Sequence, residues 1–216
     1  MFGDSFMNAL HGACQRVIGL VSMFETLKDV EADLRGRLVL AAKDRRSPMH
    51  VPAVVTSDVD ARGMVLREFN SEEWFLRFHT DTRAPKVAAI EADPRMAVLF
   101  YDKGSKIQIR VKGRGLILRD DPVTQTAWDN GTNFARRCYL GDGPGAQSDL
   151  PTSGLPDEFE GHEPTDEQLI PARANFAVLK VELAELDWLY LAHTGHVRAQ
   201  FTKDDGGDWQ GRWVSP

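Results

Sequence analysis

A short segment near the middle of the chain combines a hydroxyl group and cations in a pattern that suits a phosphate ligand. Residues 78–86 read FHTDTRAPK, so Thr80 is followed by Arg83 and Lys86. Pro85 predicts that a helix begins here, because proline is favoured in the first turn of a helix. The N-terminus of a helix presents free N–H groups and a partial positive charge. The segment therefore predicts an anion-binding site where a strand ends and a helix begins.

Two other segments carry polar side chains that a ligand could use. Residues 62–67 read RGMVLR, and alternation along a strand places Arg62 and Arg67 on opposite faces. Residues 106–112 alternate polar and apolar at every position, so Gln108 projects away from the core. A primary amide offers donors and an acceptor, which suits the mixed edge of a flavin pyrimidine or of a base.

Each of these features also has an ordinary structural explanation. Thr80 and Asp81 could serve as turn or cap residues beside a solvated Lys86, and Arg62 and Arg67 could be the exposed ends of a strand. The chain has no G-x-x-x-x-G-K segment, so a nucleoside-triphosphate loop is not indicated. These residues alone leave both explanations open.

Composition restricts the class of protein. Of 216 residues, 26 are lysine or arginine and 32 are aspartate or glutamate, and the net charge of −6 argues against a nucleic-acid partner. Cys14 and Cys138 have no metal-ligand spacing, and His193 and His196 would point to opposite faces of a strand, so no metal site is expected. The apolar stretch at 17–24 is shorter than the roughly 20 residues that cross a bilayer. We expect a cytoplasmic protein without a membrane segment.

The elements that would position these residues are helices followed by short strands. Helical spacing of apolar residues predicts a first helix within residues 4–21 and a second from Glu25 to about Leu38. From residue 50 the period changes to two, which is typical of strands. The strands are predicted at 51–56, 63–69, 73–79, 96–101, 106–118, 176–183, 188–192, 196–201 and 209–214.

The connections between these strands favour an antiparallel sheet. Only one short helix, beginning near Pro85, interrupts the first series, and it is too short for a typical crossover. We therefore expect a mainly β fold with flanking helices, in which a mostly antiparallel sheet closes into a barrel.

The region between the two series of strands is expected to be a helix and a loop. Pro122 follows two aspartates and predicts a helix that runs to about Leu140. Residues 139–172 contain no lysine or arginine and predict a long acidic loop. The predicted organisation is an N-terminal helical segment, residues 1–48, followed by a barrel domain, residues 49–216. The barrel domain includes the helix and loop at 121–172.

In their order, these segments resemble the pyridoxamine 5′-phosphate oxidase-like family of FMN-binding split barrels. The matching features are an R-x-x-x-L-[R/K] strand at 62–67, an F-x-T-[D/N] turn with a lysine at 78–86, a glutamine before V-x-G at 108–113, and a tryptophan with an arginine ten residues later, Trp188 and Arg198. The resemblance covers roughly residues 50–120 well and 175–216 moderately.

The resemblance implies a homodimer that holds FMN at the subunit interface and acts on a small molecule. The residues that it places at the cofactor are Arg62, Met64, Val65, Leu66, Arg67, His79, Thr80, Arg83, Lys86, Gln108, Gln147, Ser148, Trp188 and Arg198. Arg67 and His196 would orient the substrate.

One departure from the family pattern affects the expected substrate. Where the vitamin B6 oxidases carry a substrate arginine, this chain has Thr194, two residues before His196. The chain therefore resembles the uncharacterised branch, and we expect an FMN-dependent oxidoreductase with another substrate. A flavin-binding protein for storage, sensing or stress response is the alternative from a different class. The same barrel with heme or deazaflavin F420 is a third hypothesis.

Overall fold

The computed structural model describes residues 24–193 and 195–216, and the helix predicted within 4–21 lies outside them. The helices of the described chain are α1 (Leu27–Lys43), α2 (Pro85–Ala92), α3 (Pro122–Asp129), α4 (Asn133–Arg136) and α5 (Asp166–Leu169). The strands are β1 (Ala53–Thr56), β2 (Ala61–Gly63), β3 (Leu66–Asn70), β4 (Phe75–Asp81), β5 (Arg95–Asp102), β6 (Ile107–Leu118), β7 (Phe176–Tyr190), β8 (Val197–Lys203) and β9 (Trp209–Trp213). None of these helices has the length and apolar composition of a membrane span.

The nine described strands form one sheet in which every pairing is antiparallel. The main path is β2-β1-β5-β6-β7-β4-β3, and β8 and β9 extend it from β7. β7 is one strand of 15 residues rather than the two predicted at 176–183 and 188–192. It stays continuous because its first half pairs with β4 and its second half with β8, while β6 runs along its other edge. The expectation of a mainly antiparallel β fold with flanking helices is confirmed.

The sheet curls because its two end strands are joined by a very short connection. β2 and β3 lie at opposite ends of the path, yet only residues 64–65 separate them, so the Cα atoms of Gly63 and Leu66 can be at most about 11 Å apart. Leu66 joins both edges, since its N–H donates to the His50 carbonyl at 2.9 Å while the residue pairs with Phe78 on β4. The single strand predicted at 63–69 is therefore wrong, because the chain passes there from one edge of the sheet to the other.

Helix α1 packs on this curled sheet as one continuous helix. Thr26 and Asp29 form a capping box, in which each side chain accepts a hydrogen bond from the other residue's N–H, at 3.2 and 2.8 Å. Gly36 does not interrupt the helix, because it lies on the exposed face, where an added Cβ would meet nothing within 4 Å. The buried residues of α1 belong to the same core as the strands: Val30, Leu34, Leu38 and Ala41.

The helix predicted from Pro122 to about Leu140 is divided in the structure. Asp121 caps α3 by accepting from the N–H groups of Val123 and Thr124, but α3 ends at Asp129 and a turn precedes α4. The predicted loop 139–172 contains the 3-10 helix Asp157–Phe159 and helix α5, and a second 3-10 helix, Ile170–Asn175, begins at its end. Its buried apolar side chains, including Leu169, anchor it in a small second core against the start of β7. The chain is therefore folded back on the barrel in this region.

A buried polar contact connects α1 to the centre of the sheet. Trp188 of β7 is fully buried, and its indole Nε1 donates to Asp33 Oδ2 at 2.8 Å. The same carboxylate oxygen accepts from Arg37 Nε at 2.8 Å, and Arg37 also donates to Ser105 Oγ at 2.8 Å. The ring of Trp188 meets Phe24 edge-on, with centroids 4.7 Å apart. Asp33 is thus the acceptor that satisfies the indole N–H in the core.

Replacement of Asp33 tests this connection. Asp33→Ala should lower the free energy of unfolding by about 1–3 kcal/mol, because it leaves a buried indole N–H without an acceptor. Asp33→Asn keeps an acceptor oxygen and should cost less. Urea unfolding followed by tryptophan fluorescence measures both variants, and an Asp33→Ala protein as stable as the parent would contradict the expectation.

Candidate functional site

A cavity of about 350 Å³ opens where β4 ends and α2 begins. Its walls come from the connection between β2 and β3, the end of β4, the first turn of α2 and the chain that follows α4. Seven of the residues predicted at the cofactor line it: Arg62, Met64, Val65, Arg67, His79, Thr80 and Lys86. The fold thus brings together two segments that the sequence presents separately.

Two cations of this cavity have no ion-pair partner in the described part of the chain. Within residues 24–193 and 195–216, the side chains of Lys86 and Arg67 form no salt bridge and no hydrogen bond. Burial and the nearby charge of Arg62 lower the pKa of Lys86. Arg62 itself is held by an ion pair with Asp60 and donates to Thr56 Oγ1 at 3.0 Å. Asp81 and Asp60 act on Lys86 from nearby, but an anion in this cavity would meet two cations, Lys86 and Arg67, that form no ion pair with the described residues.

The N-terminus of α2 can supply further hydrogen bonds to an anion. Its N-cap residue, Ala84, makes no side-chain cap hydrogen bond, and Pro85 occupies the first turn. The Thr80 hydroxyl lies 3.4 Å from the Asp81 carbonyl, beyond the usual O–H···O range of about 2.5–3.0 Å. A phosphate group could accept from this hydroxyl and from the N–H groups of the first turn.

His79 is uncharged in this cavity at neutral pH. Burial lowers its pKa to about 4, with the charges of Arg67 and Arg77 acting in the same direction. Its ring packs edge-on against Phe176, with centroids 5.0 Å apart. His79 can therefore exchange hydrogen bonds with a ligand, while the positive charge at this end of the cavity belongs to the arginines.

A second cavity of about 380 Å³ adjoins the first, because Arg67 and His79 line both. Arg77, the turn between α3 and α4, and the alanines Ala127 and Ala135 complete its lining, and the described lining residues include no carboxylate. Glu68 Oε2 lies 2.9 Å from Arg77 Nε, but this buried Nε makes no hydrogen bond because its N–H does not point at the carboxylate. The second cavity is therefore suited to an anionic group.

Arg198 lies in a different place on this chain. It donates to Asp187 from Nη2 at 2.6 Å, and Asp187 also accepts from Arg110 and Gln200, each at 2.8 Å. Burial opposes ionisation of Asp187, but the hydrogen bonds from Arg198 and Gln200 keep its pKa below the ordinary value. These four residues line a third cavity, of about 510 Å³, on the outer face of β6, β7 and β8. It shares no lining residue with the first cavity.

The other predicted residues do not line the first cavity. Leu66 and Trp188 are fully buried in the core. Gln108 lies on β6 opposite Tyr101, and Arg83 lies beside the cavity, where it is paired with Asp81. Three are exposed: Gln147, Ser148 and His196. Thr194 is outside the described residues. Among those described, no group of three or more His, Cys, Asp or Glu side chains is arranged to hold a metal ion.

Five lining residues are not among those predicted from the sequence: Gly63, Asp81, Cys138, Tyr139 and Pro144. The last three lie after α4, where the sequence predicts a helix to about Leu140, and the break after α3 turns them back toward the cavity. The glycine cluster at 141–145 was the available indication, since it marks a segment that can approach other backbone closely. Burial raises the pKa of the Tyr139 hydroxyl, which is therefore neutral.

Comparisons with known proteins agree with this fold. Residues 41–119 match the family model for the pyridoxamine 5′-phosphate oxidase FMN-binding domain. A pyridoxamine 5′-phosphate oxidase-related, FMN-binding protein from Nostoc punctiforme is 22% identical, with a TM-score of 0.69 over 86% of this chain and 96% of that one. PhzG from Burkholderia lata, solved with tetrahydrophenazine-1-carboxylic acid, is 17% identical, with a TM-score of 0.66 over 86% of this chain and 91% of that one.

No curated protein matches the chain. At these identities the two solved structures establish the fold, which is the split barrel expected from the sequence. The family-model match covers the strands that carry Arg62 and Gln108 and the helix that carries Lys86. The resemblance of this chain to the pyridoxamine 5′-phosphate oxidase-like family of FMN-binding split barrels is therefore confirmed.

Proposed function

We propose that this protein binds FMN in the first cavity, which we call the flavin cavity, and is an oxidoreductase that acts on a small molecule. The observation that carries the proposal is the convergence of Arg62, Lys86 and Thr80 on the uncapped N-terminus of α2. A phosphate dianion is stabilised by fixed cations and by N–H and O–H donors, all of which this arrangement offers. FMN, when bound, would supply the redox chemistry.

The shape of the flavin cavity suits part of FMN rather than all of it. Its volume of about 350 Å³ is at the lower end of small-molecule sites, which span roughly 300–1,000 Å³. Met64 and Val65 give it an apolar wall beside the cations, where a flavin ring could begin to pack. The rest of the ring would then extend beyond the surface of this chain.

A second copy of the chain could cover the exposed part of the ring. Arg198 and Gln108 face outward from the sheet, and neither lines the flavin cavity of its own chain. On the same face Leu99 lies opposite Arg110, and Tyr101 lies opposite Gln108. Leu99 and Tyr101 are 38% and 45% exposed. A face that combines exposed apolar groups with polar groups suits an interface, so we propose a homodimer with FMN between the subunits.

The substrate would occupy the second cavity, next to the flavin cavity. Arg67 belongs to both and has no counter-ion among the described residues, so it could hold an anionic group of the substrate beside the flavin. Arg77, which is paired with Glu68, also lines this cavity, and neutral His79 adds a hydrogen-bonding group. We therefore propose a small substrate that carries a carboxylate or a phosphate. His196, which is exposed just before β8, is proposed to contact it only from a partner subunit.

Removal of the Lys86 ammonium group tests the phosphate site. Lys86→Ala should weaken FMN binding about 10- to 150-fold, because a hydrogen bond to a charged group is worth about 1.5–3 kcal/mol. Lys28→Ala removes the same charge from the exposed surface of α1 and should leave the affinity unchanged. Titration of flavin fluorescence with each protein measures the difference, and equal affinities would exclude Lys86 from the site.

The absorption spectrum of the purified protein distinguishes the cofactors. Flavin bands would support FMN, whereas a Soret band would replace it with heme. Bleaching of the flavin bands by candidate reductants or amines under anaerobic conditions would support an oxidoreductase. A protein that holds FMN tightly but keeps it oxidised with every such compound would favour a flavin-binding protein without turnover.

A mixture of two defective variants tests whether FMN lies between subunits. In Lys86→Ala and Arg198→Ala homodimers, every site lacks one cation. If each site takes Lys86 from one chain and Arg198 from its partner, a mixed dimer contains one intact site and one doubly defective site. Refolding an equal mixture should then restore tight binding at about a quarter of all sites. Fluorescence titration counts these sites, and no tight sites in the mixture would contradict the shared arrangement.

The departure at Thr194 predicts poor oxidation of pyridoxamine 5′-phosphate. Threonine supplies one neutral hydrogen bond, where arginine would supply a charged pair of donors to the substrate. Such a loss typically costs a few kcal/mol in the transition state. The FMN-loaded protein should therefore produce little hydrogen peroxide with this amine. Rapid turnover would contradict the expectation, and its loss in Arg67→Met would show that Arg67 replaces the missing arginine.

A further inference from the structure

Residues 139–145, which we call the strap, cross the flavin cavity beside the first turn of α2. Tyr139 and Pro144, from its two ends, line the cavity. On the side away from the cavity, the Asp142 N–H donates to the Gly154 carbonyl at 2.8 Å. The strap therefore lies between the ligand space and the loop that follows it in the chain.

Arg83 connects the strap to the end of β4. Its backbone N–H and Nε donate to Asp81 Oδ1 at 2.8 and 3.0 Å, and its Nη2 donates to Asp81 Oδ2 at 2.8 Å. Its remaining terminal nitrogen, Nη1, donates to the carbonyl of Gly141 in the strap at 2.9 Å. Asp81 is only 7% exposed. The buried Asp81 carboxylate thus orients Arg83, and Nη1 of Arg83 holds the strap through the Gly141 carbonyl.

The glycines of the strap allow it to lie close to this turn. A Cβ at Gly143 would be 3.3 Å from Arg83 Cβ, closer than ordinary contact. Gly145 has a φ of +94°, a conformation that favours glycine, and it faces the ring of Pro85. Pro85 directly precedes Lys86, so the strap covers the end of the cavity where the phosphate would bind.

We propose that the Asp81–Arg83 pair is a latch that holds the strap over the phosphate end of the flavin cavity. In this role Arg83 is a positioning residue that governs how fast FMN enters and leaves. The inference rests on the proposed function. It also assigns Arg83 a role different from the cofactor contact that the resemblance implies, since Arg83 does not line the cavity and directs its donors to Asp81 and Gly141.

The chain contains a matched control for this latch. Arg95 is bound to Asp93 with the same two-residue spacing, through its backbone N–H at 3.1 Å, its Nε at 3.0 Å and its Nη2 at 2.5 Å. Within the part of the chain that the structure describes, Arg95 holds no second segment. The side chain of Arg95 is 79% exposed, compared with 34% for Arg83. The two pairs therefore differ in the strap contact rather than in local geometry.

A comparison of Arg83→Lys with Arg95→Lys in the full chain tests the latch. Lysine keeps the positive charge but lacks the planar fork that reaches Asp81 and Gly141 together. We expect stopped-flow fluorescence to show FMN association and dissociation both about tenfold faster for Arg83→Lys, with the Kd changed less than about threefold. Arg95→Lys should match the parent. A faster dissociation with unchanged association would identify Arg83 as a direct ligand and overturn the latch, as would unchanged rates.

A measurement without FMN separates the latch from the proposed function. Amide hydrogen exchange of the peptide that covers the strap should be faster in apo Arg83→Lys than in apo Arg95→Lys or the parent, because the contact to Gly141 is lost. Unchanged exchange would overturn the latch. A parent protein that binds no FMN would instead overturn the proposed function, and the exchange result would still decide whether Arg83 holds the strap.

Discussion

The position of the cavity depends on the connection that closes the barrel through residues 64–65. Because this connection is so short, β2 and β3 must come together although they lie at opposite ends of the sheet path. Arg62 at the end of β2 and Arg67 near the start of β3 therefore reach one cavity. The pairing of β3 with β4 brings Thr80 to the same place. A longer loop here would free these strands from each other.

The charge distribution around this cavity differs from that of the chain as a whole. The protein has a net charge of −6, yet Lys86 and Arg67 have no counter-ion among the described residues. Removing a cation from water without a partner is unfavourable, and the lowered pKa of Lys86 reflects this cost. A bound phosphate would remove the imbalance. The positive charge continues into the second cavity, where burial, together with the charges of Arg67 and Arg77, lowers the pKa of His79 and keeps it neutral.

Two Asp–Arg ion pairs with the same local geometry make different tertiary contacts in this fold. In both pairs, Asp81–Arg83 and Asp93–Arg95, the arginine follows the aspartate by two residues. In each pair the arginine Nε donates to Oδ1 of the aspartate and Nη2 donates to Oδ2. Of these two arginines, Arg83 alone donates from its side chain to another backbone segment of the described residues, because the chain after α4 turns back to the end of β4. Trp188, which the family resemblance places near the cofactor, is covered by α1 within its own chain, and Asp33 accepts a hydrogen bond from its indole N–H.

The sequence alone determined the fold class, the strand-rich region and the two segments that line the cavity. These follow from local patterns: period-two alternation, the proline at the start of α2, and a basic cluster beside it. The tertiary structure decided which of these residues meet. Closure of the barrel joined Arg62 to Lys86, the outward register of β8 kept Arg198 away from both, and the break after Asp129 brought Tyr139 to the cavity. Such outcomes depend on contacts between residues that are distant along the chain, and local patterns carry no information about them.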